Sequence, residues 1–482
     1  MEPGRNRIVL LKPITGEPPL SFLSVQPPIN LAYLAAMVQR AGFEVEIWDY
    51  AVNTYSRTLF QQRLQQGRPA LVGISCFTPT IPYGYELAYA VKEVLPATVT
   101  VIGGPHSTAL PQRTLNECPA LDGVVVGEGE STFLDLAQRV RAGESLSGCL
   151  GLVHRTEDEA VTEQPRPLIS ALDDLPFPAR DLLEGDRYRS VQHTRGLSEA
   201  HGPLTELFTS RGCPGKCLFC AVNVSYGSRV RFRSVENVLA EVEECQRRYG
   251  IRHFVIQDDT FTLRESRVAE LMKGFRRLGV KSFSCDGRAD LVSREMLEDM
   301  ARSGCVKISF GVESGSPRIL AINGKGTTRE QVCNAFQWGR EARIKILEAT
   351  FIIGSHPDEN PEDLQATREL IRKIKPDVLF CSAVVPYPGT QTYALLRNTN
   401  LYPAEENWAD FRMFTLRPSW RTTHFSSEEL VRARDAVLRS YYFSPWYVFR
   451  RLRSLGSWSE TKYWLTVGLD YVRVTLRSRQ PM

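Results

Sequence analysis

The sequence predicts an α/β protein in which two parallel-sheet domains follow one another and a helical region completes the chain. Two stretches alternate short apolar runs with amphipathic helical patterns, as the strands and helices of parallel sheets do. A proline-rich break separates them, and the alternation stops near residue 400. We therefore expect domains over 1–150 and 201–400, a linker over 151–200 and a mainly helical region over 401–482. A chain of 482 residues is long enough for two or three domains.

Composition and cysteine usage favour a globular cytoplasmic protein. The chain is 43% hydrophobic and 24% charged, which is typical of proteins with large cores. Its net charge of +4 is too small to favour nucleic-acid binding. The N-terminal apolar run is much shorter than a signal-peptide core, and no run reaches the length of a transmembrane helix. Eleven cysteines, an odd number, indicate thiols in a reducing compartment.

The first domain is expected to contain five strands, with the sequences RIVLLK, EVEIWD, ALVGIS, TVTVIGG and LDGVVVG. Helical stretches such as INLAYLAAMVQRAG separate them, which predicts a doubly wound, flavodoxin-like sheet that binds its ligand at the strand carboxyl ends. Small and turn-forming residues at those ends would let a flat ligand approach the backbone. The candidates are Pro13, Ser75, Cys76, Phe77, Thr78, Gly103, Gly104, Pro105, His106, Gly127, Glu128, Gly129 and Glu130. In the alternative interpretation, the glycines only form tight turns.

The linker and the second domain follow. GLVHRTEDEAVTEQPRPLI is typical of a polar hairpin, and DDLPFPARDLL of a proline-stiffened connection. Six further strands are then expected, with the sequences LTELFTS, RHFVIQD, KSFSCDG, CVKISFG, IKILEATFIIG and VLFCSAVV. Six βα units are fewer than the eight of a closed barrel, so we expect an open partial barrel. Its active face would lie at the strand carboxyl ends.

Three cysteines directly follow the first strand of this barrel, in the segment TSRGCPGKCLFCAVN. Cys213, Cys217 and Cys220 have the spacing C-x3-C-x2-C. A structural zinc site needs four closed ligands, and no fourth cysteine or histidine lies at a suitable distance along the chain. A four-iron cluster normally takes four thiolates, so three would leave one iron open. In the alternative interpretation, the cysteines are only structural.

This spacing at this position resembles the radical S-adenosylmethionine superfamily, and the resemblance extends over residues 200–400. It implies a [4Fe–4S] cluster whose open iron is chelated by the amino and carboxylate groups of S-adenosylmethionine. One electron from the cluster would cleave the cofactor to methionine and a 5′-deoxyadenosyl radical, while the protein orients the reactants and excludes water.

The same resemblance implies further contacts to S-adenosylmethionine. An aromatic residue would pack near the cluster and adenine, two aspartates would accept a hydrogen bond from the amino group, and an arginine would meet the carboxylate. Polar residues after the fourth strand would contact the ribose, and the end of the fifth strand would pack on adenine. In that order, the residues are Phe219; Asp258 and Asp259; Arg288; Glu313 and Ser314; and Ile353 and Gly354. Ser355 and His356 depart from the leucine and glycine that the family often has there.

The order of the two domains resembles the cobalamin-binding group of this superfamily. PPINLAYLAA, GGPHST, GEGE and LPFPARDL extend the likeness over the first 400 residues. The most similar members in appearance are the methylases and the anaerobic magnesium-protoporphyrin ester cyclase. The string D-x-H-x-x-G, which presents a histidine to cobalt in many cobalamin proteins, is absent, and His106 does not fit it. We therefore expect base-off cobalamin with a buried nucleotide tail and its lower face against residues 75–79. A degenerate domain that binds nothing is the alternative.

The C-terminal segment combines aromatic and basic residues. Residues 441–482 contain seven Lys/Arg, two Asp/Glu and ten aromatic residues. This mixture favours contact with a membrane surface or a hydrophobic substrate, and it permits a peripheral membrane location. The alternative is a helical cover over the open barrel. No nucleic-acid partner is expected.

The predicted function is methyl transfer to an unactivated carbon by a cobalamin-dependent radical S-adenosylmethionine enzyme. The substrate is a small molecule or a peptide; polyketides, lipids and tetrapyrroles are all open. A flavodoxin- or ferredoxin-type protein would supply single electrons. The first alternative is cyclisation or oxidation with the same cofactors, and the second is a cobalamin sensor without turnover. Methylthiotransferases are set aside, because Cys76, Cys118 and Cys149 lack the spacing of their second cluster.

Overall fold

The structure is a computed structural model. It describes residues 5–14, 26–156, 159–188, 202–413 and 418–454, together with 458, 461–462, 464–466 and 469. Parts of the predicted linker (157–158 and 189–200) and much of the tail after 454 therefore lie outside the described residues.

The first sheet has five parallel strands in the order β2-β1-β3-β4-β5, which is the flavodoxin-like order that the sequence predicts. An antiparallel hairpin, β6–β7, extends it beyond β5. The polar hairpin expected in the linker is therefore part of this sheet, and the boundary at residue 150 stays a prediction. The strands are β1 (Arg7–Lys12), β2 (Glu44–Asp49), β3 (Leu71–Ser75), β4 (Val99–Gly103), β5 (Gly123–Val125), β6 (Leu152–Arg155) and β7 (Ala160–Thr162).

Helices cover both faces of this sheet, because its strands are apolar on both sides. Helices α1 and α6 pack on one face through residues such as Leu31 and Phe133. Helices α2 and α3 pack on the other through residues such as Phe60 and Leu87. The helices are α1 (Ile29–Arg40), α2 (Arg57–Gly67), α3 (Ile81–Val94), α4 (Pro105–Ala109), α5 (Pro111–Glu117) and α6 (Gly129–Ala142).

The second sheet has six parallel strands that neighbour one another in chain order. Because β8 and β15 are free edges of this sheet, the barrel is open, as the sequence predicts. A short antiparallel hairpin, β9–β10, flanks the segment that carries the three cysteines. The strands are β8 (Leu204–Leu207), β9 (Ser210–Arg211), β10 (Arg231–Phe232), β11 (His253–Ile256), β12 (Ser282–Gly287), β13 (Cys305–Glu313), β14 (Ile346–Ile353) and β15 (Val378–Ala383).

Amphipathic helices connect these strands and cover the outside of the barrel. Most begin at a Ser, Thr or Asn whose side chain accepts from the first turn, as Asn360 accepts from the backbone N–H of Asp363 at 3.0 Å. The helices are α7 (Val222–Tyr226), α8 (Val235–Tyr249), α9 (Glu265–Leu278), α10 (Arg294–Arg302), α11 (Pro317–Ile322), α12 (Arg329–Glu341), α13 (Pro361–Ile374) and α14 (Gln391–Arg397).

The C-terminal region adds α15 (Ser427–Tyr442) and α16 (Pro445–Ser454), and α15 packs against β15 at the free edge of the barrel. Hydroxyls of Tyr442 and Tyr447 donate to the carbonyl oxygens of Leu379 and Asp377 at 2.7 and 3.1 Å. The predicted helical cover therefore exists. Across the part of the chain that the structure describes, no helix combines the length and apolarity needed to cross a membrane.

Candidate active site

The segment that leads into the cysteines is held by one buried carboxylate. Asp258, after β11, accepts from the backbone N–H groups of Thr209 and Ser210 at 2.6 and 3.1 Å. It also accepts from their hydroxyls at 2.5 and 2.7 Å. Four donors use the full capacity of a carboxylate. This geometry argues against the predicted contact of Asp258 with the amino group of S-adenosylmethionine and makes it an anchor for the loop.

The neighbouring Asp259 lies at the site itself. It accepts from the backbone N–H of Gly212 at 3.0 Å, and Cys220 is close enough to feel its charge. Burial, opposed by the hydrogen bond from Gly212 and helped by the charges of Asp258 and Asp286, raises the pKa of Asp259 to about 6. Gly212 has a φ of +88°, and a Cβ there would lie 2.8 Å from the Arg229 carbonyl oxygen. Glycine is thus required immediately before the first cysteine.

The three cysteines are partly exposed, and two of them lie beside Gly215 on the loop. A Cβ at Gly215 would lie 3.4 Å from Cys213 Sγ and 3.8 Å from Cys217 Sγ. Among the described residues, no three His, Cys, Asp or Glu side chains are grouped tightly enough to hold one metal ion. Iron–sulfur clusters are held by cysteine thiolates, so the donor set of three cysteines on one loop has the chemistry that a cluster requires.

The middle of the cysteine loop is fastened to the barrel on two sides. The Leu218 N–H donates to the Asn323 carbonyl oxygen at 3.1 Å, and the Leu218 carbonyl accepts from the Thr392 N–H at 3.0 Å. Phe219, next in sequence, is half-buried, and its packing near the cluster stays a prediction. The two backbone hydrogen bonds of Leu218 thus hold the loop in place without a bound metal. Burial raises the pKa of Cys220 to about 11 when no metal is bound.

Two cations lie beside the sulfurs. The Nε and Nη2 of Arg288 donate to Asp290 at 3.1 and 2.9 Å, and Nη1 points toward Gly215. The arginine fork that was predicted to meet the cofactor carboxylate therefore already holds a protein carboxylate. Lys325 pairs with Glu313 at 3.1 Å, and both are close enough to Cys217 to influence its charge. Glu313 has a left-handed φ of +68°, which turns the chain at the end of β13.

Two other predicted contacts point away from the inside of the barrel. Ser314 is fully buried and lies 3.3 Å from the Thr367 hydroxyl in α13. Ile353 is fully buried in the outer core, whereas the half-buried Ile352 lies on the inner face of the same strand. Successive residues of a strand face opposite sides, so this geometry argues against a direct contact of Ile353 with adenine and favours Ile352, and the contact itself stays a prediction. Gly354 packs under Leu430 of α15.

The inner wall of the barrel is largely polar. Phe283, Ile308 and Leu347 belong to the outer core, and most residues between such positions carry polar groups, with Ile352 and Phe380 among the exceptions. The polar residues are Glu206, Gln257, Ser284, Asp286, Lys307, Ser309, Glu348, Thr350 and Ser382. Lys307 pairs with Glu348 at 3.1 Å, whereas Asp286 is exposed to the interior. Strands buried on both faces are usually apolar throughout, so this pattern indicates an interior built for water or a polar ligand.

The ligand edge of the first sheet has an open part and a closed part. Ser75 is half-buried, the Phe77 side chain is 60% exposed, and a Cβ at Gly127 would meet no atom within 4 Å. In contrast, Cys76 is fully buried, and a Cβ at Gly104 would lie 2.1 Å from its carbonyl oxygen. The open part leaves room for a flat ligand, and Gly104 shows that some glycines serve close packing instead.

The remaining candidates on this edge lie in turns or at the ends of strands and helices. Thr78 begins a short turn and is buried, Gly103 ends β4, Pro105 begins α4, and Gly129 begins α6 against Leu34. Pro13 lines a small surface pocket together with Ile14, Tyr50, Tyr55, Tyr83, Glu86 and Leu87.

His106 is almost fully buried. Its ring packs edge-on against Trp408 with the ring centroids 4.6 Å apart. Both ring nitrogens lack a hydrogen-bond partner among the described residues. Burial lowers the pKa of His106 to about 4. The buried ring packs on Trp408 rather than facing open space, and the absence of a histidine on cobalt stays a prediction. The exposed Phe77 and the free space at Gly127 together leave room that fits a cobalamin edge.

Glu128 and Glu130, from the GEGE motif, contact the second domain. Glu128 accepts from Arg211 at 2.9 Å and from Arg231 at 2.7 Å, and Glu130 accepts from Arg211 at 2.6 Å. All four side chains are at most 8% exposed. Burial alone would raise the pKa of Glu128, but hydrogen bonds from Arg231 and Arg211 hold it below its usual range. The geometry thus argues against the predicted direct cobalamin contacts of these two carboxylates.

The two ligand edges face each other. Helix α4, on the first edge, packs against α7, which begins two residues after the last cysteine. A Cβ at Gly389 would lie 2.8 Å from Val224 in α7 and 3.1 Å from Ala109 in α4. A ligand on the open part of the first sheet would therefore lie opposite the cysteine loop.

Comparison with known proteins agrees with this arrangement. The radical SAM superfamily model matches residues 207–371, and the B12 binding domain model matches residues 20–137. An uncharacterized methyltransferase of Pyrococcus horikoshii is 34% identical, over 87% of this chain and 88% of that protein. The chain belongs to the cobalamin-binding radical S-adenosylmethionine superfamily. An anaerobic magnesium-protoporphyrin IX monomethyl ester cyclase of Rubrivivax gelatinosus is 28% identical, over 76% of this chain and 66% of that protein.

The fold of this superfamily member also matches a solved structure. It is that of the radical S-adenosylmethionine methyltransferase TsrM from Kitasatospora setae with cobalamin and a [4Fe–4S] cluster bound. The TM-score is 0.71 at 17% identity, covering 98% of this chain and all of that one. The comparisons confirm the predicted superfamily, fold and cofactor set, namely a [4Fe–4S] cluster, S-adenosylmethionine and cobalamin. They also confirm an enzyme, in a family that contains methyltransferases. The individual contact residues stay predictions.

Sequence reasoning missed two features of the site. The polar inner wall was visible in the sequence, since S-x-S-x-D, K-x-S and E-x-T alternate polar and apolar residues along predicted strands. The partners of the GEGE motif were not visible, because nothing in the sequence pairs Arg211 and Arg231 with carboxylates that lie more than 80 residues away.

Proposed function

We propose that this protein is a cobalamin-dependent radical S-adenosylmethionine methyltransferase that adds a methyl group to an unactivated carbon. The observation that carries the proposal is the facing arrangement of two edges, one with three cysteines and the other with open space at Gly127 and Phe77. When bound, the cluster and S-adenosylmethionine supply a hydrogen-abstracting radical, and cobalamin supplies a transferable methyl group.

The residues of the chain have binding and orienting roles in this proposal. The thiolates of Cys213, Cys217 and Cys220 would hold the cluster, and Asp258 and Leu218 keep their loop in place. Asp259 and the Nη1 of Arg288 would face S-adenosylmethionine. Phe219 would shield the cluster from water on one side.

Cobalamin would lie on the open part of the first edge, over Ser75, Phe77, Gly103 and Gly127. His106 would leave the cobalt without a protein nitrogen, because its ring is packed behind Trp408. Electron paramagnetic resonance of the Co(II) state tests this point. A nitrogen splitting that disappears in His106→Ala would contradict it.

We infer that the substrate is a small molecule or peptide with polar groups that face the inner wall of the barrel. Asp286 is exposed to this interior, and Lys307 and Glu348 line it as a pair. Pro214 and Lys216, the exposed residues of the cysteine loop, form the side that a flavodoxin- or ferredoxin-type reductant would approach. Both the substrate class and the reductant are proposals.

Isotope labelling tests the reaction. Reconstituted protein is incubated under reductant with S-adenosylmethionine deuterated in its methyl group and with a small-molecule extract of the source cells. Methyl transfer predicts a labelled product, together with both S-adenosylhomocysteine and 5′-deoxyadenosine. If no 5′-deoxyadenosine forms, the protein is a sensor rather than an enzyme of this type.

The second candidate is oxidative cyclisation with the same cofactors, which the 28% identity with the magnesium-protoporphyrin ester cyclase favours. Cyclisation predicts 5′-deoxyadenosine together with a product that carries no label and has lost hydrogen. The same mass spectrum therefore distinguishes the two reactions.

The outer face of α16 is a candidate contact for a membrane surface. Phe449 and Leu452 of α16 are 60% and 64% exposed, Phe443 just before the helix is 60% exposed, and Arg453 lies near Phe449. Exposed apolar side chains beside arginines suit an anionic bilayer surface. The inner face of the C-terminal region is occupied by the barrel, so this role would belong to the outer face alone.

A further inference from the structure

One arginine joins the two cofactor edges. Arg211 donates through Nη1 to Glu128 at 2.9 Å and through Nη2 to Glu130 at 2.6 Å, so its fork spans two carboxylates of the first domain. Its strand neighbour Arg231 donates to the second oxygen of Glu128 at 2.7 Å. Two arginines and two glutamates thus form a neutral, buried network across the interface.

Both ends of this network lie next to a proposed cofactor site. Glu128 follows Gly127, where the first sheet has open space. Arg211 stands two residues before Cys213, and Gly212 between them is held by Asp259. The ion pairs therefore connect the two sites by a short route. In the first domain Glu128 is one residue from Gly127, and in the second domain Arg211 is two residues from Cys213.

The geometry of this junction depends on arginine specifically. A guanidinium is planar and can bond two carboxylates at once, whereas an ammonium acts as a point charge. Burial removes competing water, so the hydrogen bonds hold one arrangement. Arg233 provides a contrast, because it is equally buried but pairs with Glu241 inside the second domain.

We propose that Arg211 is a positioning residue whose fork between Glu128 and Glu130 sets the separation of cobalamin and the cluster. This inference rests on the proposed function, because it requires both cofactors to bind at the two edges. The residue contacts neither cofactor in this proposal. It acts through the backbone of Gly212 and through the first turn of α6.

Spin–spin interaction between the two centres tests the proposal. Reconstituted protein is loaded with hydroxocobalamin and reduced so that Co(II) and the reduced cluster are both paramagnetic. The broadening of the Co(II) signal then reports the distance between them. Arg211→Lys keeps the charge and loses the fork, and Arg233→Lys is the matched control at a buried pair within one domain.

We expect a shifted or broadened interaction in Arg211→Lys, with iron and cobalt contents unchanged, and a wild-type spectrum in Arg233→Lys. A wild-type spectrum in Arg211→Lys, or equal changes in both variants, would overturn the proposal. If Arg211→Lys loses iron, Glu130→Gln gives the same test by removing the charge of one arm. Failure of wild-type protein to bind cobalamin would instead contradict the proposed function.

Discussion

The ligand edges of the first and second sheets differ in the roles of their predicted site residues. On the second, the cysteine loop, Asp259 and Arg288 gather in one place. On the first, Glu128 and Glu130 hold the other domain, and Gly104 packs against the Cys76 backbone. Only part of the first edge is left open to a ligand.

The difference follows from how each edge would bind its cofactor. A cluster needs thiolates, so its ligands are few residue types at fixed spacing and stand out in a sequence. Cobalamin without a histidine ligand is held by shape, and small residues that make room for a ligand resemble those that make turns. A sequence motif at an edge that binds its ligand by shape can therefore contain residues whose role is to join the two domains.

The largest effect is expected at the three sulfurs. Replacing Cys213, Cys217 and Cys220 together with alanine should abolish iron binding, because these thiolates are the proposed cluster ligands. Iron and sulfide analysis after anaerobic reconstitution measures this, and replacing the buried Cys118, Cys245 and Cys381 provides the control. Retention of four iron and four sulfide by the first variant would show that the cluster has other ligands.

Asp258 and Asp259 are neighbours on one edge but differ in the number of hydrogen bonds that they accept. Asp258→Ala would leave two buried backbone N–H groups without acceptors, which we expect to lower the free energy of unfolding by about 4 kcal/mol. Asp259→Ala removes one acceptor and should cost about 1–2 kcal/mol. Urea unfolding of the two variants measures the difference. Equal losses would contradict the anchoring role assigned to Asp258.

The sequence predicted the eleven parallel strands and the two sheet types well, because each strand is a short apolar run bounded by helix patterns. The cysteine cluster was also predictable from spacing. Ile353 was singled out although it is fully buried and its half-buried neighbour Ile352 faces inward, because a strand end does not reveal which of two neighbouring isoleucines does so. The ion pairs of Arg211 depend on the docking of the two domains, which local sequence does not encode.

Glu359 gives the cysteine side of the barrel a pH dependence. It is fully buried, accepts from the Ser355 N–H at 2.9 Å, and burial raises its pKa to about 8. The folded protein then keeps a proton that the unfolded chain releases, so stability should fall as pH rises from about 5 to 8. The expected loss is roughly 2–4 kcal/mol.

Glu359→Gln should remove most of this pH dependence, since glutamine does not titrate. Urea unfolding at pH 5.5 and pH 8 measures it, and Glu362→Gln, an exposed residue nearby, is the control. An unchanged pH slope in Glu359→Gln would mean that another group is responsible.

Gly127 lies in the open part of the first edge and Gly104 in the closed part, so substitutions at the two positions should have different effects. Gly127→Ala adds a methyl group in free space at a φ of +75°, so we expect a cost of about 1 kcal/mol and weaker hydroxocobalamin binding. Gly104→Ala would place the methyl group against the Cys76 carbonyl and should destabilise the whole domain. Thermal unfolding and the visible spectrum of bound cobalamin measure the two effects. Normal cobalamin binding by folded Gly127→Ala would place the ligand elsewhere.

The smallest effect is expected at α16, which is not part of either ligand edge. A substitution there tests whether its exposed apolar side chains bind a membrane. Leu452 is 64% exposed on α16, and Leu59 is 65% exposed on α2 of the first domain. If the outer face of α16 enters the headgroup region, Leu452→Ser should weaken binding to vesicles with anionic lipid about fivefold, since partial burial of leucine is worth about 1 kcal/mol. Leu59→Ser should leave binding unchanged, and added salt should weaken binding of the wild-type protein because Arg453 contributes charge. Flotation with phosphatidylserine vesicles measures all three. Equal flotation of wild-type protein and Leu452→Ser would restrict α16 to covering the open edge of the barrel, where Tyr447 already holds it.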